Sequence, residues 1–177
     1  ASPIGGNAIR LGMVLFPVVA AAALWPRSGR YALAVIVPLL CWQGATAVWA
    51  IVTADDTSDP HYFAPVNRFL DARNPARDQK TEIVFTRNHF EAAYVANQRP
   101  IARGWERQLD TMYNAVFYDG TLDARTYARW LIDNDVRWLV RLNSAAHDSS
   151  GRDEDELIRA GLRCLDSPAN FKNWQIY

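Results

Sequence analysis

The amino-acid sequence predicts an α-helical transmembrane hairpin followed by a small α/β extracytoplasmic domain. Charge supports this fold class, because Arg10, Arg27 and Arg30 are the only charged residues in residues 1–54, whereas residues 55–177 hold all 19 acidic residues and every other basic residue. Two uncharged runs fill the first part. Strand-like and helix-like patterns alternate in the second part, which is typical of a small α/β sheet. We therefore expect two domains with a boundary between residues 54 and 55.

The uncharged runs have lengths that suit membrane helices. Residues 31–54 form a run of 24 residues. At about 1.5 Å per residue this run spans roughly 36 Å, more than the ~30 Å hydrocarbon core of a bilayer. We predict transmembrane helices at about residues 8–26 and 31–54. Two buried core helices, or a signal peptide in the first run, are the alternative interpretations.

Charge also predicts the orientation of the hairpin. The short connection between the runs carries Arg27 and Arg30, and a group of aspartates begins at Asp55. Because positive charge is retained on the cytoplasmic side, we expect residues 55–177 on the extracytoplasmic side. The chain starts at Ala1 without a methionine, so we expect it to be the C-terminal fragment of a longer protein with further upstream helices.

Residues 55–177 contain a series of short elements. Ser58 and Pro60 mark the start of a predicted helix that ends at Asn74. Residues 81–86 predict a strand, and Thr121 is the predicted N-cap of a second helix.

The C-terminal part of the sequence continues this alternation. Residues 136–142 predict a strand, and residues 149–161 predict a polar loop followed by a helix with an acidic start that ends at Gly161. Residues 162–165 and 173–177 are two further strand candidates.

Common catalytic and metal-binding motifs are missing from the sequence. It has no glycine-rich phosphate loop, no Gly-x-Ser-x-Gly turn and no His-Glu-x-x-His pair. His89 and Glu91 match half of a zinc-deaminase signature, but the cysteine half is lacking. We expect no metal site and no cofactor within this chain. The slight excess of acidic residues after residue 54 also argues against a nucleic-acid partner.

Residues 87–120 form a long stretch that is rich in arginine and aromatic residues. Its arginines could clamp a phosphate or a carboxylate, and Trp105, Tyr113 and Tyr118 could stack on sugar faces. The acidic residues of the stretch could equally neutralise the arginines. Because long loops after strands often bind ligands, we expect a binding surface here.

Three stretches resemble a known class of proteins: GGNAIRLG at residues 5–12, TRNHFEAAYVANQRPIARGWERQLD at residues 86–110 with FYDG after it, and the closing NWQIY. They are similar to the C-terminal part of bacterial polytopic integral membrane proteins of the GT-C glycosyltransferase-like type, some of which are classed as 6-pyruvoyl-tetrahydropterin synthase-related membrane proteins. The resemblance extends over nearly the whole chain. It implies transfer of a sugar from a polyprenyl-phosphate donor at the bacterial plasma membrane.

The resemblance carries no catalytic residue onto this sequence, because the acidic residue of that family lies in an upstream loop. A divalent metal would also belong to that upstream part. Asn7 and Arg10 fall in the first matching stretch, and Arg10 could reach a lipid phosphate. The candidate substrate- or lipid-binding residues are Asn7, Arg10, Arg87, Asn88, His89, Glu91, Arg103, Trp105, Glu106 and Asp110.

Three functions are compatible with these patterns. The first is part of a membrane glycosyltransferase, in which the outer domain shapes the acceptor side and the fragment alone catalyses nothing. The second is a membrane-tethered extracytoplasmic module that binds a partner without catalysis. The third, a transporter remnant, is disfavoured by the few polar residues in the apolar runs. The expected partners are the lipid bilayer, upstream transmembrane helices of the same chain, a polyprenyl-phosphate sugar and an envelope glycan.

Overall fold

The computed structural model describes residues 5–52, 55–143 and 147–177. The chain divides into two compact units, Ala1–Ala54 and Asp55–Tyr177.

The first unit consists, over its described residues, of one helix, α1 (Gly5–Val52), which is 48 residues long. The predicted hairpin required the chain to reverse direction between residues 26 and 31. A reversal at a helix end commonly uses a glycine with positive φ. Gly29 is the glycine of that connection, and its φ is not in the positive range. Pro26 lies inside the helix, so the predicted break is wrong.

The transmembrane part of the predicted fold class is also wrong. Over residues 5–52, 55–143 and 147–177, no helix combines the length and the apolar character that crossing a membrane requires. The two spans predicted at about residues 8–26 and 31–54 depended mainly on the absence of charge. Absence of charge does not by itself make a helix a membrane span.

The second unit is built on a sheet of four strands in the order β1-β2-β4-β3. The strands are β1 (Lys80–Ile83), β2 (Val136–Leu142), β3 (Ala169–Asn170) and β4 (Trp174–Ile176). β1 is parallel to β2, and the other two pairings are antiparallel. The segment between β1 and β2 contains the short helices α3 (Glu91–Tyr94) and α4 (Arg107–Tyr113) and the longer α5 (Ala124–Asp133).

One face of the sheet packs against α2 (Pro60–Arg73). Its stripe of Phe63, Val66 and Leu70 is buried in a cluster with residues of β1, β2 and β4. Burial of such side chains stabilises the fold by about 1.5–3 kcal/mol for each one.

The opposite face packs against α5 and α6 (Ser149–Ala160). Tyr127, Trp130 and Ile158 are buried there with Val84 and Leu139. Because side chains alternate along a strand, Glu82 lies on the same face of β1 as Val84. A carboxyl group therefore points into this second core.

Several boundaries differ from the predictions. Asp59, not Ser58, caps α2 by accepting a hydrogen bond from the His61 amide. Asp123, not Thr121, caps α5. Residues 162–165 form no strand, since the sheet is completed by the β3–β4 hairpin.

Helix α6 approaches the end of β1 closely at Gly151. A Cβ atom at this position would lie 3.0 Å from the Phe85 carbonyl oxygen and 3.1 Å from the Phe85 amide nitrogen. Backbone atoms cannot move aside as a flexible side chain can. Only glycine therefore allows this contact without displacing the strand.

Replacing Gly151 with valine should lower the free energy of unfolding by about 1–3 kcal/mol, as expected for overpacking. Chemical denaturation of the full chain measures this change. Gly104→Val is the matched control, because a Cβ at Gly104 would meet no atom within 4 Å. Equal stability of the two variants would contradict the close approach.

Candidate functional site

The structure separates the predicted binding residues into several places. The backbone of Asn7 and Arg10 belongs to α1, but their side chains lie outside the described part of the structure. Arg87 and Asn88 are exposed in the turn that follows β1. The remaining candidates form a histidine–carboxylate group, a buried arginine cluster and the rim of a depression.

The histidine–carboxylate group includes the predicted His89 and Glu91. His89 has a φ of 56°, which places it in the left-handed region. Its Nδ1 lies 3.3 Å from Glu91 Oε1, and its Nε2 lies 4.0 Å from Asp148 Oδ1. Glu91 is buried and accepts a hydrogen bond from the Thr86 hydroxyl at 2.6 Å. These contacts tie the turn after β1 to the start of α6.

Asp148 anchors this group electrostatically. Burial alone would raise its pKa, but hydrogen bonds from the Ser150 amide and hydroxyl and an ion pair with Arg107 outweigh that effect. They hold the pKa of Asp148 well below its usual value of 3.8. The carboxylate is therefore occupied as the N-cap of α6 and as the partner of Arg107 at 2.7 Å.

The buried cluster surrounds Arg103, whose side chain has no exposed surface. Two of its nitrogens donate to Asp110, at 2.8 and 3.3 Å, and a third donates to Glu154 at 3.0 Å. Phe117 and Phe85 cover the two sides of the guanidinium, with ring centroids 3.6 and 4.2 Å from its Cζ. We call this group the Arg103 cage. Its members are Arg103, Glu82, Asp110, Glu154, Phe85 and Phe117.

The pKa of Glu82 is shifted by its place in the cage. Burial, followed by the charge of Glu154, raises the pKa of Glu82 well above its usual value of 4.5. As an anion, Glu82 would have no hydrogen-bond donor on either oxygen within the described residues. Glu154 accepts a hydrogen bond from the Tyr127 hydroxyl at 2.5 Å. Burial and the charge of Glu154 therefore favour the neutral form of Glu82.

The cage holds an irregular segment against the core. The backbone of residues 100–102 pairs with Thr81 on β1, which brings Arg103 beside Glu82. Asp110, which lies on α4, also accepts a hydrogen bond from the side-chain nitrogen of Asn114 at 2.8 Å. Asn114 in turn accepts from the Trp130 ring nitrogen on α5 at 2.9 Å. One chain of contacts thus joins β1, α4, α5 and α6.

Above the cage lies an open depression of about 590 Å³. Trp105 and Tyr113 stand on its rim with 62% and 74% of their surfaces exposed. Its floor includes Asp110 and Asn114, so the cage and the depression share these residues. We call this site the aromatic depression. It is lined by Ala102, Gly104, Trp105, Glu106, Leu109, Asp110, Tyr113, Asn114 and Asn134.

The arginines of residues 87–120 do not converge on one ligand site. Arg99 pairs with Asp71 and Arg107 with Asp148, while Arg103 is enclosed in its cage. The sequence left open the alternative that acidic residues of the stretch neutralise its arginines. Arg103 and Asp110 form such an ion pair. A shared phosphate clamp of these arginines is not formed.

The sequence pattern did not indicate several residues of the site. Glu82 is the one charged residue inside the predicted strand 81–86, and a charge in an apolar strand is a signal for a buried partner. Glu154 lies three residues after Gly151 and four before Ile158, on the buried side of α6. Asn114 and Asn134 gave no signal, because isolated asparagines are common in loops.

Comparison with known proteins finds no match among protein-family models, curated proteins or solved structures. The resemblance to GT-C glycosyltransferase-like proteins, the sugar donor and the cellular location therefore stay predictions.

Over the described residues, no three His, Cys, Asp or Glu side chains are grouped to hold a metal ion.

Replacing Arg103 with methionine should lower the free energy of unfolding by about 3–5 kcal/mol, since it leaves buried carboxylates without their cation. Denaturant unfolding measures the loss. Arg77→Met is the control, because Arg77 also contacts both oxygens of one aspartate, Asp71, but on the surface. It should cost at most about 1 kcal/mol. Similar losses in both variants would show that the cage is not stabilising.

Replacing Glu82 with glutamine should remove a pH dependence of stability. The pKa of Glu82 in the folded protein is raised above its usual value of 4.5. The stabilisation that Glu82 contributes to the folded state is therefore fully present below pH 4.5 and is lost as the pH rises through the raised pKa. Between the unfolded-state and the folded-state pKa of Glu82, the free energy of unfolding falls by about 1.4 kcal/mol for each pH unit. Glutamine is close to glutamate in size and stays neutral at every pH.

Denaturant unfolding of both proteins between about pH 4 and about pH 8 tests this difference. The stability of Glu82→Gln relative to the parent should increase with pH. Identical pH dependence of the two proteins would mean that Glu82 is ionised in the folded state.

Proposed function

We propose that residues 55–177 form a non-catalytic module that binds an uncharged glycan in the aromatic depression. The observation that carries this proposal is the pair Trp105 and Tyr113, two largely exposed rings on the rim of one depression with a polar floor.

Exposed aromatic rings suit the apolar faces of sugars. Leaving apolar surface in water costs about 25 cal/mol for each Å², so two exposed rings at one site indicate a ligand that covers them. Tyrosine and tryptophan supply a large contact area with little loss of side-chain entropy. Sugar rings have C–H faces that can cover such rings and hydroxyls that need polar partners.

The floor and rim supply those polar partners. Glu106 and Asn134 line the depression. A carboxylate accepts hydrogen bonds from hydroxyls, and a side-chain amide both accepts from hydroxyls and donates to them. The side-chain nitrogen Nδ2 of Asn134 donates a hydrogen bond to the Trp130 carbonyl at 2.9 Å, so this side chain is held in position. A pre-positioned polar group loses less entropy when a ligand binds.

The charge of the depression favours an uncharged ligand. None of the described residues that line it is a lysine, arginine or histidine, whereas Glu106 and Asp110 are acidic. A phosphate group would therefore meet negative charge here. This supports a glycan rather than a polyprenyl-phosphate as the ligand of this site.

The contacts of Asp110 support binding without catalysis. Its carboxylate accepts hydrogen bonds from Arg103, Asn114 and Tyr118. A carboxylate that already accepts three hydrogen bonds from the protein itself has little capacity left to contact a proton of a bound ligand. The transferase function stays a prediction about a longer protein.

Calorimetric titration of the full chain with neutral cello-, chito-, xylo- and malto-oligosaccharides tests the proposal. At least one series should bind, and Trp105→Ala and Tyr113→Ala should each weaken it by about tenfold or more, equivalent to about 1.4 kcal/mol. Met112→Ala should leave affinity unchanged, since Met112 is 61% exposed on α4 but does not line the depression.

Two outcomes would contradict the proposal. One is that none of the oligosaccharides binds. The other is that all three variants weaken binding equally, which would indicate a general apolar contact surface of α4 for a protein partner rather than a sugar site.

A further inference from the structure

A second groove lies between α2 and the turn that joins β3 to β4. It has a volume of about 510 Å³ and is open to solvent. None of its residues lines the aromatic depression. It is lined by His61, Tyr62, Pro65, Arg68, Phe69, Phe171, Lys172, Asn173 and Trp174.

The floor of this groove is apolar and rigid. Phe69 and Phe171 meet edge to face with their ring centroids 5.6 Å apart, and both rings are half-buried. Trp174 is fully buried and donates from its ring nitrogen to the Tyr62 carbonyl at 2.9 Å. Such packing gives a preformed surface for an apolar anchor side chain.

The rim of the groove is cationic. Arg68 and Lys172 are exposed, and no carboxylate of the described residues forms an ion pair with either. The Arg68 Nε instead donates to the Ala64 carbonyl of its own helix at 3.3 Å. Unpaired cations on both sides of an apolar floor favour an anionic partner.

We infer that this groove binds an acidic peptide segment that carries a single apolar or aromatic anchor residue. The anchor would cover Phe69 and Phe171, and flanking carboxylates would face Arg68 and Lys172. A small phosphorylated ligand is less well matched, because the cations are exposed on the rim instead of buried around one point. An open groove along a helix also suits an extended chain better than a compact molecule.

Fluorescence polarisation with labelled short peptides tests this inference on the full chain. The probes contain Trp, Phe or Leu flanked on both sides by Asp and Glu, and matched probes have Lys at the flanking positions. At least one acidic probe should bind, and its lysine counterpart should bind at least about tenfold more weakly.

Variants then locate the binding site. Arg68→Glu and Lys172→Glu should each weaken binding of the acidic probe by about tenfold. Lys172→Arg should retain affinity, and Arg163→Glu, an exposed charge reversal outside the groove, should have no effect. All of these substitutions are at exposed positions, so the fold should be kept, and circular dichroism verifies this.

The inference is overturned if no acidic probe binds, or if the groove variants bind it as well as the parent does. It is also overturned if sulfated oligosaccharides bind to the groove while acidic peptides do not, since an anionic glycan would then be the ligand. These results are independent of the aromatic depression, whose variants Trp105→Ala and Tyr113→Ala should bind the peptides normally.

Discussion

One buried cation determines how the second unit of this protein is arranged. Transferring a guanidinium out of water costs several kcal/mol, and only close carboxylates and well-oriented contacts offset this cost. Arg103 meets Asp110 from α4 and Glu154 from α6, between the rings of Phe85 and Phe117. The segment between β1 and α5 has little regular structure. Its position therefore depends on satisfying this charge.

The proposed glycan site follows from the same constraint. Asp110 binds Arg103 on one side and lines the aromatic depression on the other. Trp105 lies two residues after Arg103 and Tyr113 ends α4, so both rings are carried by segments that the cage holds. The raised pKa of Glu82 fits this arrangement, because three ionised acids around a single arginine would leave excess negative charge in the core. Stability and the proposed glycan binding thus depend on shared residues.

The sequence predicted best the elements whose apolar pattern is local. The predicted strand 136–142 coincides with β2, and α6 ends at Ala160 with Gly161 as its C-cap, as expected. The hairpin in residues 1–54 was wrong because uncharged residues do not specify where a helix ends. The strand predicted at 162–165 was wrong because pairing partners decide whether a short apolar run joins a sheet. Of the candidate site residues, Trp105, Glu106 and Asp110 line one depression, and their role in binding stays a prediction. The Arg103 cage was missed, since Glu82 and Glu154 are far apart in sequence and meet only in the fold.

Amide hydrogen exchange in an Arg103→Lys variant tests whether the Arg103 cage positions α4 and the rim of the depression. Lysine keeps the positive charge but cannot contact both oxygens of Asp110 while also donating to Glu154. If the cage holds the rim of the depression, amides of α4 should exchange at least about tenfold faster than in the parent, whereas those of α2 should not change. Unchanged exchange throughout α4 in the folded variant would show that other contacts position the rim, and the account would fail.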